Sequence, residues 1–284
     1  MSVAKDIKDT VRVAAIGDLH YGKNAVPGGL QPLFTQVTTA ADVLVLCGDL
    51  TDYGLPEEAK LLARELTSSV KIPIVAVLGN HDYESGQQAE LIKIFTDAGV
   101  TMLDGDTTEV HGIGFAGVKG FAGGFGRRAL GPWGEDIIKK FVHEAVDEAL
   151  KLESALARLR NNRLIAVLHY APIQETVEGE PCEIYPFLGC SRLEEPIGRF
   201  PVSAVFHGHA HHGRPEGRTA KNVPVFNVSM SLMREAFPDR PFRLFEVDMR
   251  TPDDHADEQE AEAQRRQDAE AERRRGDRRA VERA

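Results

Sequence analysis

VRVAAIGDLH, residues 11–20, sets the grammar of the chain: a β-branched apolar run stops at Gly17 and is followed at once by Asp18 and His20. The pattern recurs. DVLVLCGDLTD (42–52) ends in Asp49 and Asp52, and IPIVAVLGNHD (72–82) ends in Asn80, His81 and Asp82. RLIAVLHY (163–170) ends in His169, and SAVFHGHAHHG (203–213) ends in His207, His209, His211 and His212. Short apolar runs bounded by Gly read as strands buried on both faces. In α/β sheets, sites gather beyond the carboxyl ends of such strands. Strands ending side by side would therefore collect these donors in one pocket. Asp18 and His20 are two apart, as are His209 and His211; in extended backbone, i and i+2 share a side, so each pair is expected to grip one centre.

The donors are carboxylate, imidazole and one amide, with no thiolate. That set suits Mn, Fe, Zn or Co better than a thiolate-rich zinc or iron–sulfur site. There are too many donors for one tetrahedral ion. Two ions about 3.5–4 Å apart, sharing a carboxylate, would use them and would clamp the oxygens of a displacement at phosphorus.

Taken in order, Asp18-x-His20, Gly48-Asp49-x-x-Asp52, Gly79-Asn80-His81-Asp82, the lone His169 and Gly208-His209-Ala210-His211 resemble the calcineurin-like metallophosphoesterases. These include purple acid phosphatases, class III cyclic-nucleotide phosphodiesterases and nucleases of the same fold. The resemblance spans roughly residues 11–248 and covers the whole metal set. It implies a four-layer α/β/β/α sandwich with two mixed β-sheets; the residues alone reach only an α/β fold with an added meander. It implies Asp18, His20, Asp49 and His211 around one ion and Asp49, Asn80, His169 and His209 around the other, with Asp49 bridging. It further implies in-line attack on phosphorus by a hydroxide between the ions, with His81 as acid or charge stabiliser. Asp82 is expected to orient His81 through the other ring nitrogen, or to cap a following helix. Asp52 is expected beyond the direct ligands. His207 and His212, of opposite parity to His209 and His211, are expected to point away.

Composition narrows the class. The chain has 284 residues, 42% hydrophobic, with a formal net charge of −10. That charge disfavours a general nucleic-acid surface, since phosphate binding runs on Lys and Arg; two bound cations would still admit a small anionic ester. No stretch reaches the roughly 20 apolar residues needed to cross a bilayer. The N-terminus lacks the apolar core of a signal peptide, so a cytoplasmic protein without a membrane partner is expected. Oligomeric state is not legible. Cys47, Cys182 and Cys190 are read as free thiols, Cys47 inside a strand; Cys182 and Cys190 flank a loop and could pair if oxidised.

The remaining stretches read as follows. Residues 1–250 form the catalytic domain, and 251–284, almost free of large apolar residues, form a charged disordered tail. Helices are expected over 30–40, 56–69, 86–98 and 134–160, with a short one after Ser191. Residues 101–120 read as a hairpin or meander of the second sheet, with turns at Asp104-Gly105 and His111-Gly112. Strands at 223–228 and 242–248 are expected to close that sheet. Lys23 and Asn24 are candidates to face substrate, against ordinary loop polarity. GVKGFAGGFGRR (117–128) reads either as a flexible functional loop, with Phe121 and Phe125 for stacking and Lys119, Arg127 and Arg128 for phosphate, or as a mobile surface loop with apolar anchors. His111 and His143 read as surface residues, and Glu183, Tyr185 and Phe187 as candidates at the cleft rim.

The reading is a phosphodiesterase acting on small esters such as cyclic nucleotides. A nuclease, a phosphomonoesterase or a lipid-headgroup hydrolase of the same fold are the alternatives, and a non-catalytic metal-binding scaffold is the alternative of another class. An HxHxDH cluster, which β-lactamase-like hydrolases need, is absent, and the HxH lies too late in the chain for an amidohydrolase barrel.

Overall fold

The structure, a computed structural model, describes residues 9–22 and 25–250. Lys23, Asn24 and the tail 251–284 lie outside the described residues. Residues 11–247 make one compact unit. Outside it, the Met249 N–H donates to the Asp9 carbonyl.

The first half of the chain runs β1 (Thr10–Ile16), α1 (Gln31–Ala40), β2 (Val43–Cys47), α2 (Pro56–Ser69), β3 (Ile74–Val77), α3 (Gln88–Asp97) and β4 (Val100–Met102). The second half runs β5 (Asp106–Val110), β6 (Ile113–Gly117), α4 (Asp136–Arg158), β7 (Leu164–Val167), α5 (Tyr185–Leu188), α6 (Glu194–Ile197), β8 (Val202–His207), β9 (Glu216–Arg218), β10 (Pro224–Asn227), α7 (Met230–Ala236) and β11 (Arg243–Asp248). One sheet has the order β11-β1-β2-β3-β4 and the other β5-β6-β7-β8-β10-β9. Pairs β1–β2, β2–β3 and β3–β4 are parallel. So are β6–β7, β7–β8 and β8–β10, with β5 and β9 added antiparallel at the edges.

Why the runs read as continuous apolar stretches is now visible. Ala14, Ile16, Leu44, Leu46, Ile74 and Ala76 pack with Phe34, Leu62, Leu66, Leu91 and Phe95 of α1, α2 and α3. Their neighbours of opposite parity, among them Val13, Val45, Val75 and Val77, are equally buried and face the other sheet. The sheets touch closely. A methyl added to Gly117 of β6 would lie 2.8 Å from Val77 Cγ1 of β3, and Phe245 of β11 packs on Phe206 and Phe226 of β8 and β10. The outer face of the second sheet is covered by α4 and α6 through Leu152, Ala155, Leu156 and Ile197. The fold is the α/β/β/α sandwich.

Two strand assignments are corrected. Residues 100–102 do not belong to a meander of the second sheet; they pair parallel with β3 at the edge of the first. Asp104-Gly105 is therefore the crossing between sheets, and only β5 and β6 form the hairpin, turning at His111-Gly112. Residues 243–248 join β1 in the first sheet, so only β10 of the two expected strands closes the second. Alternation is alike in either sheet, and pairing partners distant in sequence decide between them. Of the two readings of the Gly-rich loop, the one with apolar anchors matches its packing: Phe125 is buried, Phe121 is packed on Phe141, and Gly123 and Gly124 bond the backbone at Pro186 and Gly189. Its phenylalanines are anchors rather than free stacking groups, while Arg127 and Arg128 are exposed.

Candidate metal centre

Register brings the strand ends together. Ile16 lies opposite Leu46, and Cys47 opposite Val77, so Gly17-Asp18, Gly48-Asp49 and Gly79-Asn80 emerge side by side. Val167 lies opposite Phe206 in the second sheet, setting His169 beside His207-Gly208-His209. The loops then knit: Asp18 N–H donates to the Gly48 carbonyl (3.0 Å), His20 N–H to Asp49 (3.0 Å) and Gly208 N–H to His169 (3.1 Å).

At this edge the backbone leaves the extended region. Asp18, His20, Asp49 and His209 have φ of 57, 43, 47 and 70°. Asp and His tolerate this left-handed conformation better than most residues, at a cost of about 1 kcal/mol each. The i, i+2 argument therefore fails for the second pair. Asp18 and His20 do meet in one group, with His211, whereas His209 turns to another group, with Asp49 and His169. Within each group the donor atoms lie within 4.8 Å of one another. Each group is part of one of the two sets that the resemblance implies, which add Asp49 to the first and Asn80 to the second.

In the first group His211 Nε2 lies 3.0 Å from Asp18 Oδ1 and 3.4 Å from His20 Nε2. In the second, His169 Nε2 lies 3.4 Å from Asp49 Oδ1 and 2.8 Å from Asn80 Oδ1. Asp49 reaches both: its Oδ2 is 3.8 Å from His20 Nε2. A third triplet, His20, Asp52 and His81, is only half-buried.

These donors fit cations. His169 Nδ1–H donates to the Cys47 carbonyl at 2.9 Å, which crosses from one sheet to the other. Burial drives the His169 pKa well below its ordinary value, so the ring is neutral and Nε2 presents a lone pair. That lone pair faces the Asn80 and Asp49 oxygens, all acceptors. Burial lowers His209 to about 3; its Nε2–H donates to the Phe187 carbonyl (3.2 Å), leaving Nδ1 for the cleft. Burial also lowers His20. His211 alone is raised, by its hydrogen bond to Asp18, so a proton stands there where a cation would. Asp49 is raised well above the carboxylate range by burial, then by Asp18 and Asp82. Asp18, Asp49 and Asp82 are all buried, and among the described residues none pairs with Lys or Arg. Buried acids without counter-charge and neutral imidazoles aimed at them are what divalent ions resolve.

His81 stands at the rim, its N–H donating to Asp49 Oδ1 (2.8 Å) and its ring edge-on to His20. Its Nδ1–H donates to the Asp52 carbonyl at 2.7 Å. The expectation for Asp82 is therefore corrected: its carboxylate does not orient His81, nor does it cap a helix. It is fully buried and accepts from Leu50 N–H, Thr51 N–H, Thr51 Oγ1–H and Gly79 N–H, tying the loop after β2 to the loop after β3. Four donors from two loops converge there because the loops are adjacent in space, which no spacing in the chain reveals. His207 is buried away from the groups, taking a hydrogen bond from Thr176 Oγ1–H, and His212 is exposed. Cys47 and Cys190 are buried and Cys182 exposed, all free. Sequence reading missed the carbonyls of Cys47, Asp52 and Phe187, which leave no signal because any residue supplies one.

The profile of the calcineurin-like phosphoesterases matches residues 11–213. The chain belongs to that family. This phosphoesterase is accordingly a metal-dependent hydrolase of phosphoric esters. It is 22% identical over 216 residues to a protein of Arcobacter nitrofigilis described as a probable glycerophosphodiester phosphodiesterase GpdQ, covering 74% of this chain and 71% of that one. The crystal structure of a phosphopantetheinyl hydrolase, PptH, from Mycobacterium tuberculosis superposes with a TM-score of 0.59 at 16% identity, covering 84% of this chain and 96% of that one, a likeness of fold. Among the described residues no helix is long and apolar enough to cross a membrane.

Proposed function

We propose that this phosphoesterase is a binuclear phosphodiesterase of small substrates, with cyclic nucleotides and other compact diesters as the class. The observation that carries the reading is Asp49, whose two oxygens face separate donor groups. In this reading Asp18, His20, Asp49 and His211 hold one ion and Asp49, Asn80, His169 and His209 hold the other. The ions, of the Mn, Fe or Zn type, would supply Lewis-acid polarisation of the phosphoryl group and neutralise its charge. The similarity to a glycerophosphodiester phosphodiesterase supports a small diester.

The chain's own residues do the rest. The Cys47 and Phe187 carbonyls fix the tautomers of His169 and His209, so the ring nitrogens facing the cleft are bare. The Asp52 carbonyl takes the His81 Nδ1–H in the same way, leaving Nε2 as the ring atom free to exchange a proton with substrate. His81 is thus placed to protonate the departing oxygen or to stabilise equatorial charge.

The test is a panel with Mn and with Zn: bis-aryl against mono-aryl phosphate, 3′,5′- and 2′,3′-cyclic nucleotides, glycerophosphodiesters and single-stranded DNA. Faster turnover of the small diesters is expected, lost reversibly to a chelator and lost in Asp49→Ala. Full turnover by Asp49→Ala would overturn the mechanism. A preference for DNA or for monoesters would overturn the substrate class.

A further inference from the structure

β6 ends as the ligand-bearing strands end. Gly117 lies opposite Val167, and Val118 N–H donates to the Val167 carbonyl at 3.1 Å. The next carbonyl, that of Lys119, accepts from the His169 and Tyr170 N–H groups, each at 3.0 Å. Lys119 is therefore delivered to the same sheet edge as His169 and His209, yet it belongs to neither donor group.

Its surroundings are unusual for a cation. Lys119 is only 9% exposed. Its ammonium donates to the Gly120 carbonyl at 2.8 Å and lies 4.9, 5.3 and 5.4 Å from the ring centres of Phe121, Tyr170 and Tyr83. Among the described residues it makes no ion pair. The acid that acts on it most, Glu148, has its oxygens occupied by Gly120 N–H and by Lys151. Burial lowers the Lys119 pKa. A buried ammonium with no carboxylate partner works against stability, and such breaches of local rules are expected where function is served.

The rings around it identify what is served. Tyr83 closes the single turn that carries His81 and Asp82, beyond the first sheet. Tyr170 follows His169 beyond the second sheet, and its ring centre is 5.4 Å from that of His169 and 4.5 Å from that of His209. One cation thus touches the neighbour of His81 on one sheet and the backing of two ligand candidates on the other. We propose that Lys119 is a positioning residue of the metal centre: clasped by Tyr83, Phe121 and Tyr170, it holds the His81 turn and the His169–His209 pair in common register across the two sheets.

The inference rests on the binuclear reading above, and its sign separates it from simple charge. A lysine acting on divalent ions only through space would repel them, so its removal would tighten binding. A clasp predicts the reverse. The metal-free parent, Lys119→Met, Tyr83→Leu and the double variant are titrated with Co(II), reading the affinity of each ion by calorimetry, the visible Co(II) spectrum, and Tm. In Lys119→Met we expect Tm at or above that of the parent, one ion bound about tenfold more weakly, and an altered visible band. Tyr83→Leu should weaken the same ion, and the double variant should be no worse than the more affected single variant. Parent-like or tighter binding of both ions by Lys119→Met, or effects of the two substitutions that multiply, overturns the clasp. If Lys119→Met does not fold, Tyr83→Leu decides: parent-like affinity and spectrum overturn the proposal. A parent that binds fewer than two Co(II) ions sinks the binuclear reading and the clasp with it. A two-ion parent with an indifferent Lys119→Met sinks the clasp alone.

Discussion

Replacing Gly79 by alanine would set a methyl 2.2 Å from Asp49 Oδ1, 2.3 Å from the Asp49 backbone nitrogen and 2.8 Å from His169 Cε1. None of these neighbours is the far end of a flexible chain. Restoring an ordinary contact moves the Asp49 carboxylate by about 1 Å, and a displacement of that size in a positioned catalytic group costs about 10²-fold in rate, or about 2.7 kcal/mol of barrier. The overpacking itself costs about 1–3 kcal/mol of stability. A matched control is Gly134→Ala. Gly134 has φ of 84° and nothing within 4 Å of where a methyl would sit, so the substitution there brings backbone strain and no crowding. Thermal denaturation, metal content and kcat/KM on a bis-aryl phosphate separate the terms. Both variants should lose some stability, while only Gly79→Ala should hold fewer than two ions and lose about 10²-fold in kcat/KM. A folded Gly79→Ala protein that keeps two ions and a third or more of the parent's activity would refute the reasoning, because the carboxylate would then tolerate displacement.

Asp82→Asn keeps the shape of a buried carboxylate that accepts from four donors. An amide accepts through one oxygen only, so at least one buried N–H loses its partner; equilibrium urea unfolding should show a loss of about 2 kcal/mol. His207 is fully buried, which lowers its pKa to about 4. Between that value and the unfolded one of about 6.5, the unfolded chain binds more protons, so stability falls as pH drops through this window, by about 3 kcal/mol from this residue, and is flat below it. Denaturation of the metal-free protein across pH 4–7 should show about one fewer proton taken up on unfolding in His207→Gln. Removal of residues 251–284 should leave kcat/KM on the bis-aryl phosphate within about twofold, since 11–247 form a unit containing every ligand candidate; a larger loss would give the tail a part in the chemistry.

The helices and most strands were legible because their signals are local. Pro56 with Glu57 and Glu58 opens α2 as the sequence implies, and the carboxylate of Glu58 takes the Tyr53 and Leu55 N–H groups before it. The donors at the strand ends were legible because a buried apolar run that stops at oxygen and nitrogen ligands has few other uses. What escaped is non-local. The sheet that β4 and β11 join is set by pairing with β3 and β1. The division of His209 from His211 escaped parity, though the resemblance implied it, because a left-handed turn at His209 sets it. Asp82 looked like a partner of His81 because it is adjacent in the chain, but adjacency in a turn sends the two side chains to different neighbours. Lys119 did carry a signal: IGFAGVK ends an apolar strand in a polar group as the other runs do. The glycines that follow it disguised it as part of a loose loop.

The hydrogen bond from His169 to the Cys47 carbonyl joins a side chain beyond one sheet to the backbone of the other. In the binuclear reading, neither half of the sandwich presents a complete ion cradle before they dock, so loading would follow docking. Each ion, at a free concentration about a hundred times its Kd, would then add about 2.7 kcal/mol to the folded state, a sizeable share of the about 5–15 kcal/mol that holds an ordinary domain together. Scarcity of the metal would thus shorten the lifetime of the chain as well as silence it.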